Sequence, residues 1–129
     1  MLDANIITDM LRYPRGRVVQ HVMNVGEFSL SVSAIVAAKL RQRAAISGAS
    51  REAELVEGVL SRIVVMPFGF EAEQHLDRIR DELQSAGKFL EQSDLFLAAH
   101  AFSLGLQLVT DRPNVFGGIR GLKLENWLA

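Results

Sequence analysis

Residues 87–111 read GKFLEQSDLFLAAHAFSLGLQLVTD, and the architecture turns on this stretch. Leu97, Ala98, Ala101 and Phe102 fall three and four residues apart, the spacing that lines one face of a helix. Ser93 is placed to cap that helix and Gly105 to close it. The apolar run from Leu106 to Thr110 then reads as a strand. Asp94 therefore opens the helix, and Asp111 stands just past the strand.

Working outward, Ala72, Leu76, Ile79, Leu83 and Ala86 recur at helical steps opposite Asp77, Arg80 and Gln84, which predicts one helix from Phe70 to about Ala86, ended by Gly87. Ile63 to Met66 is a continuous apolar run bounded by Pro67, expected to be a strand buried on both faces. The helix before it begins at Ser50, with Glu52 and Glu54 in its first turn and Leu55, Val59 and Leu60 as its buried stripe. Ser33 caps a helix through Ile35, Ala38 and Leu40 that stops near Ser47-Gly48. Phe28 to Val32 alternates as a strand does.

At the N-terminus Leu2 begins a very short strand, and Asp3 or Asn5 caps a helix carrying Ile6, Ile7, Met10 and Leu11. Tyr13-Pro14-Arg15-Gly16 ends it, and Val18, Val19 and Val22 mark a second helix. Leu122 to Trp127 supplies a last short strand. Short apolar strands separated by helices predict an α/β domain, a central parallel sheet flanked by helices. Ligand sites in such sheets form at the carboxyl ends of strands, where Asp3, Asp94 and Asp111 fall.

The composition bounds what this domain does. At 129 residues, 49% hydrophobic and 22% charged, the chain suits one domain over 1–129. There is no cysteine, which excludes disulfides and thiolate metal sites and fits a reducing cytoplasm. No signal peptide or spanning segment is recognisable, so a cytoplasmic, membrane-free protein is expected. The net charge of -1 gives no global attraction for nucleic acid, so an RNA partner requires a local basic patch. Arg12, Arg15 and Arg17, Arg41 and Arg43, or Arg112, Arg120 and Lys123 are candidates, though any such cluster is also what an ordinary solvated face looks like.

Three acids at strand ends and helix starts are suited to a hard cation, because Mg²⁺ takes a few carboxylates and keeps several waters. Each acid also has an ordinary reading: Asp3 as a helix cap, Asp94 as a complement to a helix dipole, Asp111 as a turn residue. Spacing alone leaves both open.

The ordered motifs add a resemblance. Leu2-Asp3-Ala4-Asn5-Ile6 resembles the opening LDTNI of PIN-domain toxins, with Ala4 in place of threonine. Gly87 to Gly105 is similar to the family's second motif, in which an aspartate opens a helix containing AAHA. Leu108-Val109-Thr110-Asp111 resembles its LVT strand and polar turn, and Gly121 to Trp127 its closing GLRxENW. In this order, across nearly the whole chain, the motifs resemble the VapC type. The resemblance implies a PIN-like three-layer domain and an endoribonuclease using Mg²⁺ or Mn²⁺, paired with a VapB-type antitoxin that mediates any contact with DNA. It implies a homodimer, for which Leu95, Phe96 and Phe102 are candidate contacts. Carried over, Asp3 and Asp94 are the metal ligands, Asp111 a further catalytic acid, Asn5 and Thr110 the groups that orient the carboxylates, and Arg112 a contact for RNA phosphate.

One position departs from the pattern. Where the family carries glutamate in SxITxAEL, Ser33 to Leu40 places Lys39. An ammonium in that pocket would pair with the acids and lower metal affinity; alternatively, its stem lets it snorkel to solvent, or Glu91 partly replaces the lost acid. The rival to a nuclease is thus a catalytically silent PIN domain that binds antitoxin, whose hydrophobic helix lies in a groove with a basic side chain directed at the acids. A phosphate-accepting receiver or phosphatase shares the sheet, but Asn5 stands where a phosphatase motif needs a second aspartate, and no lysine closes the strand before Asp111. His21, His75 and His100 show no mutual spacing and are assigned no role.

Overall fold

Met1 to Asp3, three residues of extended chain, join the two halves of the sheet. In a computed structural model describing residues 1–129, β1 (Ser31–Ser33) pairs in parallel with β2 (Val64–Met66), and β3 (Leu108–Val109) with β4 (Leu124–Glu125). The Leu2 N–H donates to the Ser31 carbonyl at 2.9 Å, and the Asp3 N–H to the Val109 carbonyl at 2.9 Å. Val109 returns a bond to the Met1 carbonyl at 2.9 Å, and Leu2 bridges Val109 in the parallel sense. Parallel strands require long crossovers, and helices supply them here.

The helices are α1 (Ala4–Arg12), α2 (Arg17–Val25), α3 (Ala34–Ser47), α4 (Ser50–Leu60), α5 (Phe70–Gln74), α6 (Leu76–Ser85), α7 (Gln92–Ser103) and the single turn α8 (Pro113–Phe116). Ser33 caps α3, its hydroxyl accepting the Ile35 N–H at 3.1 Å. Gly48 ends α3 at φ 69°, a left-handed conformation that glycine adopts without steric cost. Leu2, Ile6, Ile7, Val32, Leu40, Ile79, Leu83, Leu97, Leu108 and Phe116 belong to one contiguous core under the sheet and helices. Each such side chain contributes about 1.5–3 kcal/mol by leaving water.

Several expected elements differ in detail, each for a packing reason. Phe28 is fully exposed and lies in a 3-10 turn, Glu27–Ser29, so the strand begins only at Ser31, where the Leu2 N–H first pairs with the chain. β2 is an edge strand, paired on one side alone, and Val64 is 56% exposed, which corrects the expectation of burial on both faces. The helix expected over 70–86 breaks at His75 into α5 and α6. On α4 the core takes Val56 and Leu60, and Leu55 stays partly exposed. Glu91, not Ser93, is the N-cap residue of α7, and Ser93 lies inside the first turn.

The residues considered for a dimer are engaged within the chain. Leu95 is buried, Phe96 packs edge-on against Phe68, and Phe102 packs against His75 beneath Arg78. No helix is long and apolar enough to cross a membrane.

Candidate functional site

The acids gather where the N-terminal segment, α7 and the end of β3 meet. Asp3 is carried there because the extended Met1–Asp3 segment runs beside β3, and its backbone turns at once into α1. Its carboxylate is 2% exposed; Oδ1 accepts the Ala4 N–H at 2.7 Å and Oδ2 accepts the Thr110 hydroxyl at 2.8 Å. Asp94, in the first turn of α7, is 6% exposed. Two carboxylates buried this deeply demand compensation, because an unpaired buried charge costs several kcal/mol.

Compensation comes from Arg112. Its Nη1 donates to Asp94 Oδ2 at 3.1 Å and its Nη2 to Asp94 Oδ1 at 2.9 Å, a two-pronged fork. The same Nη2 donates to Asp3 Oδ2 at 3.0 Å. The bond to Asp94, ahead of the bond to Asp3, holds the guanidinium more firmly protonated than usual, against the desolvation of its partly buried site. The Thr110 hydroxyl ties the cluster together, donating to Asp3 and accepting the Arg112 backbone N–H at 3.0 Å.

Asp111 sits one residue earlier in the chain and faces elsewhere. It is half-buried, and both of its oxygens receive the Asn5 amide, at 3.3 and 3.4 Å. The structure thus brings Asp3, Asp94, Thr110 and Arg112 into one hydrogen-bonded unit and sets Asn5 with Asp111. Lys39 is half-buried on α3 and makes no ion pair; the cation between the acids is Arg112. Glu91 is exposed at the start of α7 and outside these pairs.

The donor set suits a hard divalent cation. Asp3 and Asp94 present oxygens to a single guanidinium nitrogen, so their negative charge converges on one place that already holds positive charge. No group of three or more acidic or histidine ligands is assembled, in keeping with lysine at position 39 and with Asp111 bonded to Asn5.

A second polar cluster was not anticipated from sequence. His100, on the last turn of α7, is 1% exposed and its Nδ1 lies 2.8 Å from the Ser33 hydroxyl. Burial pushes its pKa below the usual histidine value, with the Pro67 backbone acting in the other direction. Phe68 packs edge-on to the ring. Its partner Ser33 lies 67 positions earlier in the chain, so no local signal pairs them.

On another face, a cleft of about 390 Å³ lies between α1, α3 and α4, lined by Leu11, Leu40, Leu55 and Val56 with Arg12, Arg43 and Glu52 at its rim. A second cleft shares Leu11 and Leu55 with it and continues over Met10, Val22, Leu30 and Val59.

The PIN domain family model matches residues 1–112. The chain is 32% identical to ribonuclease VapC2 of Haemophilus influenzae, covering 99% of this chain and 97% of that protein. It is 30% identical to the tRNA(fMet)-specific endonuclease VapC of Shigella flexneri, covering 98% and 96%. Among solved structures, DNA-bound VapBC from Salmonella typhimurium superposes with a TM-score of 0.91 at 30% identity, covering 98% of this chain and 96% of that one. VapBC2 from Rickettsia felis, bound to a DNA fragment of its promoter, gives 0.86 at 25% identity, covering 98% and 97%.

Proposed function

We propose, from the premise that this chain belongs to the PIN-domain family as a VapC-type member, that it is the toxin of a toxin-antitoxin pair, an endoribonuclease of the cytoplasm that hydrolyses RNA phosphodiester bonds. The observation that carries this reading is the convergence of Asp3 and Asp94, both buried, on a single positively charged position at the carboxyl end of the sheet. Clustered buried carboxylates are unfavourable for folding, so such a cluster supports function more than stability.

Asp3 and Asp94 would hold Mg²⁺ or Mn²⁺. When bound, such an ion activates water as a nucleophile and offsets charge on a scissile phosphate. Around it the chain's own groups set the geometry. The Ala4 N–H and the Thr110 hydroxyl fix the Asp3 carboxylate, so its orientation is in place before any ligand arrives. Asp111, held by Asn5 beside this unit, would act as a further acid only by turning towards it. Arg112, whose side chain is 31% exposed, is the cation available to an RNA phosphate.

The relatives from Shigella flexneri and Salmonella typhimurium are named for a transfer RNA, which makes initiator tRNA the first substrate to test. Cleavage is expected to require Mg²⁺ or Mn²⁺, to stop with a chelator, and to fall at least about 100-fold in Asp94→Asn, because one of two ligands is lost. Lys39→Glu is expected to raise it. Cleavage that persists in Asp94→Asn at the wild-type rate refutes the site.

The partner is a VapB-type antitoxin, and any contact with promoter DNA runs through it. The apolar cleft between α1, α3 and α4 suits a hydrophobic helix, and its rim arginines suit acidic flanks. A second reading, a silent PIN domain that only binds antitoxin, is favoured by one observation: both acids are already paired with Arg112 while Lys39 stands at the family's glutamate position. Failure of Lys39→Glu to cleave RNA while antitoxin still binds would decide for it.

A further inference from the structure

Arg112 bridges Asp3 and Asp94, the two carboxylates that would hold a divalent cation. We infer that it is an internal competitor for that cation, so that metal binding in this chain is an exchange in which the guanidinium leaves the carboxylates as the metal arrives. The inference rests on the nuclease reading and adds to it the residue that sets metal affinity.

Three features make the contact built in. The fork to Asp94 and the bond to Asp3 together use both terminal nitrogens at 2.9 to 3.1 Å. The Arg112 backbone is aimed by its own N–H on the Thr110 hydroxyl, which also holds Asp3, and by Pro113, which keeps the residue before it out of the helical region. The guanidinium carbon stands over the Phe116 ring, 5.7 Å from its centroid, where the ring face attracts the positive charge.

Two features make the contact exchangeable. Nε of Arg112 is buried without a hydrogen-bond partner, so the clamp leaves one donor unsatisfied. The side chain is 31% exposed, whereas those of Asp3 and Asp94 are 3% and 8% exposed, so the cation has a route to water that the acids lack. Charge favours exchange as well. With Arg112 the two carboxylates carry a net single negative charge; with a divalent ion they are neutral, and the freed guanidinium becomes available to a phosphate anion. Metal binding and phosphate binding are thereby coupled through one side chain.

The test is Mn²⁺ binding to the full chain, followed by electron paramagnetic resonance, for the wild type, Arg112→Gln, Arg112→Lys and the double variant Arg112→Gln with Asp94→Asn. Arg112→Gln is expected to bind at least about tenfold more tightly than the wild type, with Arg112→Lys between them because an ammonium cannot span both carboxylates. Equal or weaker binding by Arg112→Gln overturns the exchange while leaving the metal site standing. Binding by the double variant as tight as by Arg112→Gln puts the ion elsewhere and overturns the nuclease site along with it. A measurement on the unaltered chain guards against misfolded variants: the ¹⁵N resonance of the Arg112 guanidinium should move as Mg²⁺ is added, with the midpoint of metal binding. A resonance that stays fixed while the Asp94 carboxyl signal shifts overturns the proposal.

Discussion

The two ends of α7 each bury a polar cluster, and they are stabilised by different means. At the first turn, Asp94 joins Asp3 and Arg112 in a charged unit whose members are held by six hydrogen bonds counting Thr110 and Ala4. At the last turn, His100 and Ser33 share one bond of 2.8 Å, and burial favours the neutral imidazole. The charged cluster is stable only while its cation is present, because charge removed from water must be paired. The neutral cluster needs only a matched donor and acceptor. One end is therefore sensitive to cations and the other to protons.

Removing the cation should break the comparison most strongly. Arg112→Ala leaves two buried carboxylates facing each other and should lower the unfolding free energy in metal-free buffer by about 3 kcal/mol, the low end of the usual range because the side chain is 31% exposed. Urea denaturation with and without millimolar Mg²⁺ checks this, and the ion should restore most of the loss. A deficit that Mg²⁺ leaves untouched would mean that the two carboxylates do not share a cation site.

The neutral end should give a smaller effect with a different signature. His100→Ala opens a cavity and leaves the Ser33 hydroxyl without its partner, at a cost of about 2 kcal/mol that Mg²⁺ does not repair. The wild type should also lose stability as pH falls. His100 has a folded pKa below its unfolded value, near 6.5, so the unfolded chain binds the proton more readily; the contribution is complete above about pH 6.5 and is lost as pH falls towards the folded pKa. His100→Gln should flatten that dependence, seen as a melting temperature that changes less between pH 7.5 and pH 5.5. An unchanged slope would assign it to other groups.

The least change is expected at Asn5. Its bonds to Asp111 are long, at 3.3 and 3.4 Å, and only partly buried, so Asn5→Ala should cost about 0.5 kcal/mol by the same denaturation measurement. A loss as large as that of Arg112→Ala would place Asp111 inside the charged cluster.

Much of this was legible along the chain because it is local. The cap at Ser33, the left-handed glycine at Gly48, the helix opened by the segment around Asp94 and the short strand before Asp111 all depend on neighbours a few residues away. The break at His75 was not legible, because the apolar spacing on either side of it fits one continuous helix. Nor was the exchange of Leu55 for Val56 in the core: adjacent positions on a helix differ by a rotation that only the packing partner selects.

The sequence by itself determined the order of most elements, their parallel arrangement and the fall of Asp3, Asp94 and Asp111 near strand ends, since helix and strand periods and their short connections leave few alternatives. It also showed that position 39 holds a lysine. Only the tertiary structure decided which cation meets the acids. Arg112 and Asp3 are 109 residues apart, and a long charged side chain has many rotamers; the fork forms because burial of both carboxylates makes their pairing more valuable than the freedom of the arginine.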